Sequence, residues 1–304
     1  MDSNDHSPER PAGTGPDVGD ARRVVVDGVR QTYRVVGEGP FCLVHPGGPG
    51  VHPEYLRMPA LAHDLTLVYL DPVGSGDSDP LPDGDYSPAR YARFAEAVLN
   101  DLGAPTAYFL GHSHGGFVAQ QFALDHPERL DGLILYDTAP VYGKELTDTA
   151  TAKMAALARR RADRPELVNA ARAWKAMLPG GLAYDDASHE RHLNTLLPAY
   201  YADYRRTSAE AGGLALRVTP DPNRRPVAWD VRDRLGMIEA PALVIVGLHD
   251  FICPPRYAYE LDAGIADTHL CALPESGHFG HIEEPDAFTA AVLEFVDNQK
   301  RNPS

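Results

Sequence analysis

Ser113 sits in the middle of Gly111-His112-Ser113-His114-Gly115, a pattern that suits a nucleophile displayed on a sharp turn. The mostly apolar run Thr106-Ala107-Tyr108-Phe109-Leu110 precedes it, and Gly116 to Leu124 reads as helix. A serine squeezed between strand and helix takes strained backbone angles, and glycine on either side lets the two elements approach without a Cβ clash. Such a hydroxyl attacks an acyl carbon only when a histidine removes its proton and a carboxylate orients that histidine. Asp250 and His278 are of the right types. Asp250 follows the apolar run Leu243-Val244-Ile245-Val246, and His278 follows Leu270 to Leu273. Asp137, after the next strand beyond the turn, is the rival acid, and His281 is the rival base.

The tetrahedral intermediate of that chemistry needs N–H donors for its oxyanion. One is expected from the residue after the serine, His114. The other is expected from His45-Pro46-Gly47-Gly48-Pro49-Gly50, where the prolines carry no N–H, so Gly48 is the favoured donor and Gly47 the reserve. His112 is read as pocket lining, together with the aromatic set Trp174, Tyr200, Tyr201, Tyr204 and Phe251, whose spacing serves packing equally well. His112 with His114, and His278 with His281, mimic metal-ligand spacing. No further carboxylate or histidine completes a recognisable set in the sequence, so neither a metal nor a cofactor is expected.

These residues need a scaffold of strands that end in loops. Residues 23–26 and 29–36 are β-branched runs about Asp27-Gly28, a hairpin signal. Phe41 to Val44, Leu65 to Leu70, Leu133 to Tyr136, Leu243 to Val246 and Leu270 to Leu273 read as further strands, the continuous apolar ones being of the kind buried on both faces. Phe94, Ala95, Val98, Leu99 and Leu102 recur at helical spacing up to a stop at Gly103, and Pro285 opens a helix with a stripe of Phe288, Ala291, Val292 and Phe295. Alternating strands and helices predict an α/β fold with a mostly parallel sheet covered on both faces. Residues 141–235 break the rhythm with helical patches and no convincing strand, and are read as an inserted helical cap between core segments 21–140 and 236–299. Met1 to Asp20 has almost nothing to bury and is expected to be a disordered leader, with Lys300 to Ser304 fraying likewise.

At 304 residues the chain can bury a full core, and its net charge of −15 disfavours nucleic acid and anionic lipid as partners. A small molecule or short peptide is the expected partner, with oligomeric state unreadable. The three cysteines show no C-x-x-C spacing, no apolar run approaches the roughly 18 residues of a membrane span, and the first residues lack a signal-peptide pattern. A cytoplasmic setting is the expectation.

Gly47-Gly48-Pro49-Gly50, Asp71-Pro72-Val73-Gly74-Ser75-Gly76-Asp77-Ser78, the serine turn with Gly116, Asp125-His126-Pro127-Glu128, Gly247-Leu248-His249-Asp250 and Ser276-Gly277-His278 come in one order. In this the chain resembles the α/β-hydrolase superfamily and, within it, the proline iminopeptidase-like branch (peptidase S33-like), over about residues 22–298 apart from the cap. The resemblance implies an α/β-hydrolase fold and an acyl-serine mechanism with Ser113 as nucleophile, His278 as base and Asp250 as orienting acid. The branch's Trp-x-x-Trp-Glu cap pattern has no counterpart, since Trp174 is followed by Lys175-Ala176-Met177. Glu166, Asp185, Asp186, Glu190 and Asp203 are candidate substitutes for holding a substrate amine, although ordinary surface charge fits each of them better. The expected function is therefore a serine hydrolase acting on a carboxylic ester or amide of a small, partly apolar molecule. The alternatives are an iminopeptidase releasing an N-terminal residue and a scaffold that binds a ligand or promotes a non-hydrolytic step.

Overall fold

The computed structural model describes residues 19–178, 186–211, 214–219 and 221–301. Nearly all of the leader, Pro179-Gly180-Gly181, Asp185 and the last three residues lie outside the described residues. The chain runs through β1 (Ala21–Val26), β2 (Val29–Val36), β3 (Phe41–His45), β4 (Thr66–Asp71), α1 (Pro88–Leu102), β5 (Ala107–His112), α2 (His114–Asp125) and β6 (Leu130–Tyr136). It continues with β7 (Val141–Tyr142), α3 (Lys144–Arg160), α4 (Pro165–Met177), α5 (Asp186–Tyr200), α6 (Tyr204–Ala211) and β8 (Trp229–Asp230). β9 (Ala242–Gly247), α7 (Pro255–Gly264), β10 (Thr268–Leu273), α8 (Gly280–Glu283) and α9 (Pro285–Arg301) complete it.

Eight strands form one sheet in the order β1-β2-β4-β3-β5-β6-β9-β10. The β1–β2 hairpin turns at Asp27 and Gly28, both with positive φ (52° and 81°), as a tight two-residue hairpin turn demands. β2 is antiparallel to β4 as well, and the remaining pairs are parallel. In β9 the apolar run divides by alternation: Leu243 and Ile245 join the core on one face, and Val244 and Val246 join the core on the other. A strand buried on both faces can afford no polar position, which is why its sequence is continuous rather than alternating.

Helix α1 presents Phe94, Ala95, Val98 and Leu99 to one of these cores, and α9 presents Phe288, Val292 and Phe295 to the other. The Ser87 hydroxyl accepts the Arg90 N–H at the start of α1, and Gly103 (φ 64°) ends it in the left-handed conformation. Lys300 and Arg301 belong to α9 rather than to a frayed tail, and their charges suit a helix C-terminus.

Helices α3 to α6 lie between β6 and β9 in the chain. The expectation of no strand in residues 141–235 needs correction: β7 and β8 pair antiparallel, Val141 opposite Asp230 and Tyr142 opposite Trp229. Two-residue strands are too short to produce a periodic pattern. The returning segment also bridges to the loop after β3, with Val218 opposite Val51, His52 N–H donating to Arg217 O (2.9 Å) and Thr219 N–H to Gly50 O (2.9 Å). No helix of the described residues is long and apolar enough to cross a membrane.

Candidate active site

Ser113 connects β5 directly to α2, which begins at His114 rather than at Gly116, and has φ 53° and ψ −117°, a conformation that costs a non-glycine residue energy. The surroundings impose it. Ser113 N–H donates to Tyr136 O (2.9 Å) and the Thr138 hydroxyl donates to Ser113 O (2.7 Å). A Cβ on Gly111 would lie 2.3 Å from Gly115 O, and one on Gly115 would lie 2.2 Å from His45 O, so glycine is required at both positions.

Asp250 lies in the loop after β9 and His278 in the loop after β10, and these parallel neighbours bring the two side chains together. His278 Nδ1 is 2.7 Å from Asp250 Oδ2, and both side chains are almost wholly withdrawn from solvent. Asp250 Oδ1 accepts the Ile252 N–H (2.7 Å), which leaves the carboxylate little freedom to rotate. The rival acid, Asp137, instead accepts the Gly247 N–H (2.8 Å), and burial together with the charge of Asp250 pushes its carboxyl well above the usual carboxylate range. The rival base, His281, has both ring nitrogens engaged, Nδ1 with the Tyr136 hydroxyl (2.9 Å) and Nε2 with Tyr55 O (2.8 Å). Burial lowers its pKa to about 4.

His112 is fixed in the same manner. Its Nδ1 faces the Tyr55 hydroxyl (2.6 Å) and its Nε2 faces His278 O (2.9 Å), and burial holds the imidazole neutral, well below the usual histidine range. A neutral ring satisfies both contacts when Nδ1 accepts from tyrosine and Nε2–H donates to the carbonyl. Tyr55, which the sequence reading overlooked, also accepts the Gly47 N–H (2.7 Å). That removes Gly47 from the pool of oxyanion donors. The N–H of His114 opens α2 and has no carbonyl one turn earlier within the helix.

A cavity of about 510 Å³ lies between the strand ends and helices α3 to α5. Ser113, His112, His114, Gly48 and His278 line it, as do Trp174 and Tyr200. Three of the expected pocket residues do not. Phe251 lies behind the wall, with its ring centroid 5.6 Å from Trp174 and 5.5 Å from Tyr200, whereas Tyr201 packs on Phe279 and Tyr204 packs on Tyr201. Of the candidate amine-holding carboxylates in residues 141–235, Glu166 is paired with Arg205 (2.7 Å), and neither Glu190 nor Asp203 reaches the cavity. The carboxylate that does border it is Asp221, next to Arg224, in a stretch that reads in sequence only as a Pro- and Arg-rich return loop. The clustered charges within that loop were the available signal.

The ligand atoms of His112, Asp137 and His278 come within 4.8 Å of one another, a grouping that sequence spacing does not display. Their existing bonds already commit both nitrogens of His112 and Nδ1 of His278.

An uncharacterized protein of Mycobacterium tuberculosis is 31% identical over 288 residues, covering 90% of this chain and 80% of that protein. A 2-hydroxy-6-oxo-6-phenylhexa-2,4-dienoate hydrolase of Burkholderia cepacia is 28% identical, covering 84% of this chain and 87% of its own. Among solved structures, the proline iminopeptidase of Mycobacterium smegmatis superposes with a TM-score of 0.67 at 22% identity over 94% of this chain and all of that one, a likeness of fold alone. Residues 40–285 match the family described by the alpha/beta hydrolase fold, and the chain belongs to that family.

Proposed function

We propose that the protein is a serine hydrolase that cleaves a carboxylic ester or amide bond of a small, partly apolar substrate, with the helical segment 141–235 acting as a cap over the site. The observation that carries this reading is the buried Asp250–His278 pair, 2.7 Å apart, whose histidine lines the same cavity as a serine held at φ 53°. With Nδ1 of His278 committed to Asp250, Nε2 is the nitrogen left for proton transfer. Ser113 Oγ attacks the acyl carbon as its proton passes to His278 Nε2, and the oxyanion is received by the N–H groups of His114 and Gly48. The intermediate collapses, the bond to the leaving alcohol or amine breaks, and His278 returns the proton to that group. Water then attacks the acyl-serine, giving its proton to His278. The second collapse releases the carboxylic acid and restores the Ser113 hydroxyl.

Two features favour an ester or simple amide over an N-terminal residue with a free amine. Asp221, the carboxylate beside the cavity, is already bonded to the Tyr86 hydroxyl and the Asn223 N–H (2.8 Å), and it is followed three residues later by Arg224, whose charge repels an ammonium group. The name of the Burkholderia relative, a hydrolase of a small dienoate, is consistent with a small substrate.

The test is labelling by a fluorophosphonate probe, followed by rates on 4-nitrophenyl acyl esters and on proline 4-nitroanilide. Labelling that disappears in Ser113→Ala, with turnover of esters rather than the anilide, is expected. Labelling that persists without Ser113 would discard the hydrolase mechanism, and preference for the anilide would restore the iminopeptidase reading.

A further inference from the structure

Arg224 borders the cavity with a buried nitrogen that lacks a partner, a setting different from that of the ion-paired arginines. Arg30, Arg34, Arg205, Arg217, Arg232 and Arg256 each meet a carboxylate. Arg224 forms no ion pair with any described carboxylate, although the chain has 43 acidic residues against 28 Lys and Arg. It is nevertheless held firmly. Its guanidinium carbon lies 3.8 Å from the centroid of the Tyr86 ring, and Nη1 donates to the Tyr91 hydroxyl (3.2 Å). Nη2 is buried and has no hydrogen-bond partner.

The position of that nitrogen matters. Arg224 borders the cavity that Ser113 lines, and a Cβ placed on Gly50 would lie 3.6 Å from Nη2, so the group stands over the loop that carries Gly48. Beside it, both ring nitrogens of His114 are also buried without a partner, and burial, the neighbouring His45 and the charge of Arg224 hold that imidazole in its neutral form. An arginine stacked on one ring and bonded to a second, with a buried Nη2 that lacks an acceptor, is preorganised for an anion, because the cost of ordering the side chain is already met. Leaving a charged donor unmatched in a buried setting is expensive unless an acceptor arrives. Asp221 does not supply it, since both of its oxygens hold other donors.

We propose that Arg224 is a specificity-determining residue that binds a carboxylate carried by the substrate at a point remote from the scissile bond, so that the preferred substrates are small monoanionic esters or amides. One unpartnered guanidinium nitrogen suits a singly charged carboxylate better than a phosphate dianion, which needs more donors. A large part of the wall, including Trp174, Leu196 and Val218, is apolar and suits the uncharged part of such a molecule. This inference rests on the hydrolase reading only for the statement that the bound anion is a substrate.

The experiment is a calorimetric titration of the full chain with pentanoate and glutarate, alongside their neutral counterparts pentanamide and glutaramide. The acids are expected to bind about tenfold or more tightly than the amides, the range of a hydrogen bond to a charged group. Arg224→Gln is expected to abolish the preference and Arg224→Lys to keep part of it. Equal affinity of acid and amide for the wild-type chain overturns the proposal even if neither variant folds, and so does a preference that survives in Arg224→Gln. No turnover is involved, so the two readings fail separately. A preference for acids dependent on Arg224, in a protein whose Ser113 does not react with fluorophosphonate, would keep the anion site and discard the hydrolase. Ser113 labelling without the preference would do the reverse.

Discussion

His278 Nδ1 and Asp250 Oδ2 meet at 2.7 Å across loops that follow two adjacent parallel strands, with both side chains buried. Asp250→Asn keeps the shape but reverses one hydrogen-bonding direction, so the imidazole is held in the wrong tautomer, and kcat is expected to fall by on the order of 10³–10⁴. Asp137→Asn should leave ester hydrolysis within about threefold of wild type, because burial already favours the neutral carboxyl there and an amide imitates it. Steady-state rates on one 4-nitrophenyl ester compare the two. A larger loss in Asp137→Asn than in Asp250→Asn would make Asp137 the orienting acid.

Tyr55 accepts from Gly47 N–H and donates to His112, so its hydroxyl connects the loop after β3 to the end of β5. Tyr55→Phe leaves a buried N–H and a buried ring nitrogen unmatched, at a cost of about 1–3 kcal/mol. The denaturant midpoint should drop accordingly, and kcat should fall more than KM rises, because the neighbouring Gly48 donor loses its support. Unchanged kcat in a destabilised variant would show that the loop does not depend on this bond.

Glu283 accepts N–H groups from Ala202 and from Gly277, and burial raises its pKa from 4.5 to about 7. A carboxyl whose folded pKa exceeds its unfolded value binds protons more tightly when folded. Its contribution is therefore complete below about pH 4.5 and declines as pH rises through 7. The stability of the wild type should decline over that interval by on the order of 2–3 kcal/mol from this group, and Glu283→Gln should flatten that part of the profile. Denaturant melts at several pH values measure it, and a parallel slope in the variant would assign the decline to other groups.

Trp174 lines the cavity, with its Nε1–H bonded to the Thr151 hydroxyl (2.9 Å), whereas Tyr204 does not reach the cavity. Trp174→Ala should raise KM for a hexanoyl ester relative to an acetyl ester by about tenfold, as expected for losing apolar contact worth 1–3 kcal/mol. Tyr204→Ala should leave that ratio unchanged. A shift of the ratio in the second variant would place the acyl chain nearer α6.

The strands and helices of the sheet domain were legible because local chemistry and long-range burial agree there: β9 is apolar throughout since both its faces are covered, and Gly103 ends α1 at a left-handed position. Ser113, Asp250 and His278 were legible for a related reason, as each terminates or follows a strand whose pattern is strong. Tyr55, Glu283 and Arg224 were not. Each acts through partners distant in the chain, such as His112, Ala202 and Tyr91, and no local periodicity records such meetings. Tyr201 and Phe251 illustrate the converse, being sequence neighbours of Tyr200 and Ile252, which line the cavity, while they themselves face other rings.

The helical insertion is fastened to both of the loops that flank Ser113. His278 N–H donates to Tyr200 O (2.6 Å) on one side, and Thr219 N–H donates to Gly50 O (2.9 Å) on the other. For protein engineering, this makes the insertion a poor cassette. A foreign segment grafted between β6 and β9 would need a carbonyl where Tyr200 has one and an extended stretch where 217–219 run, or it would misalign the histidine and the glycine loop together. The natural unit of exchange is the insertion along with these two loops, so altering specificity by transplant means redesigning three pieces of chain at once.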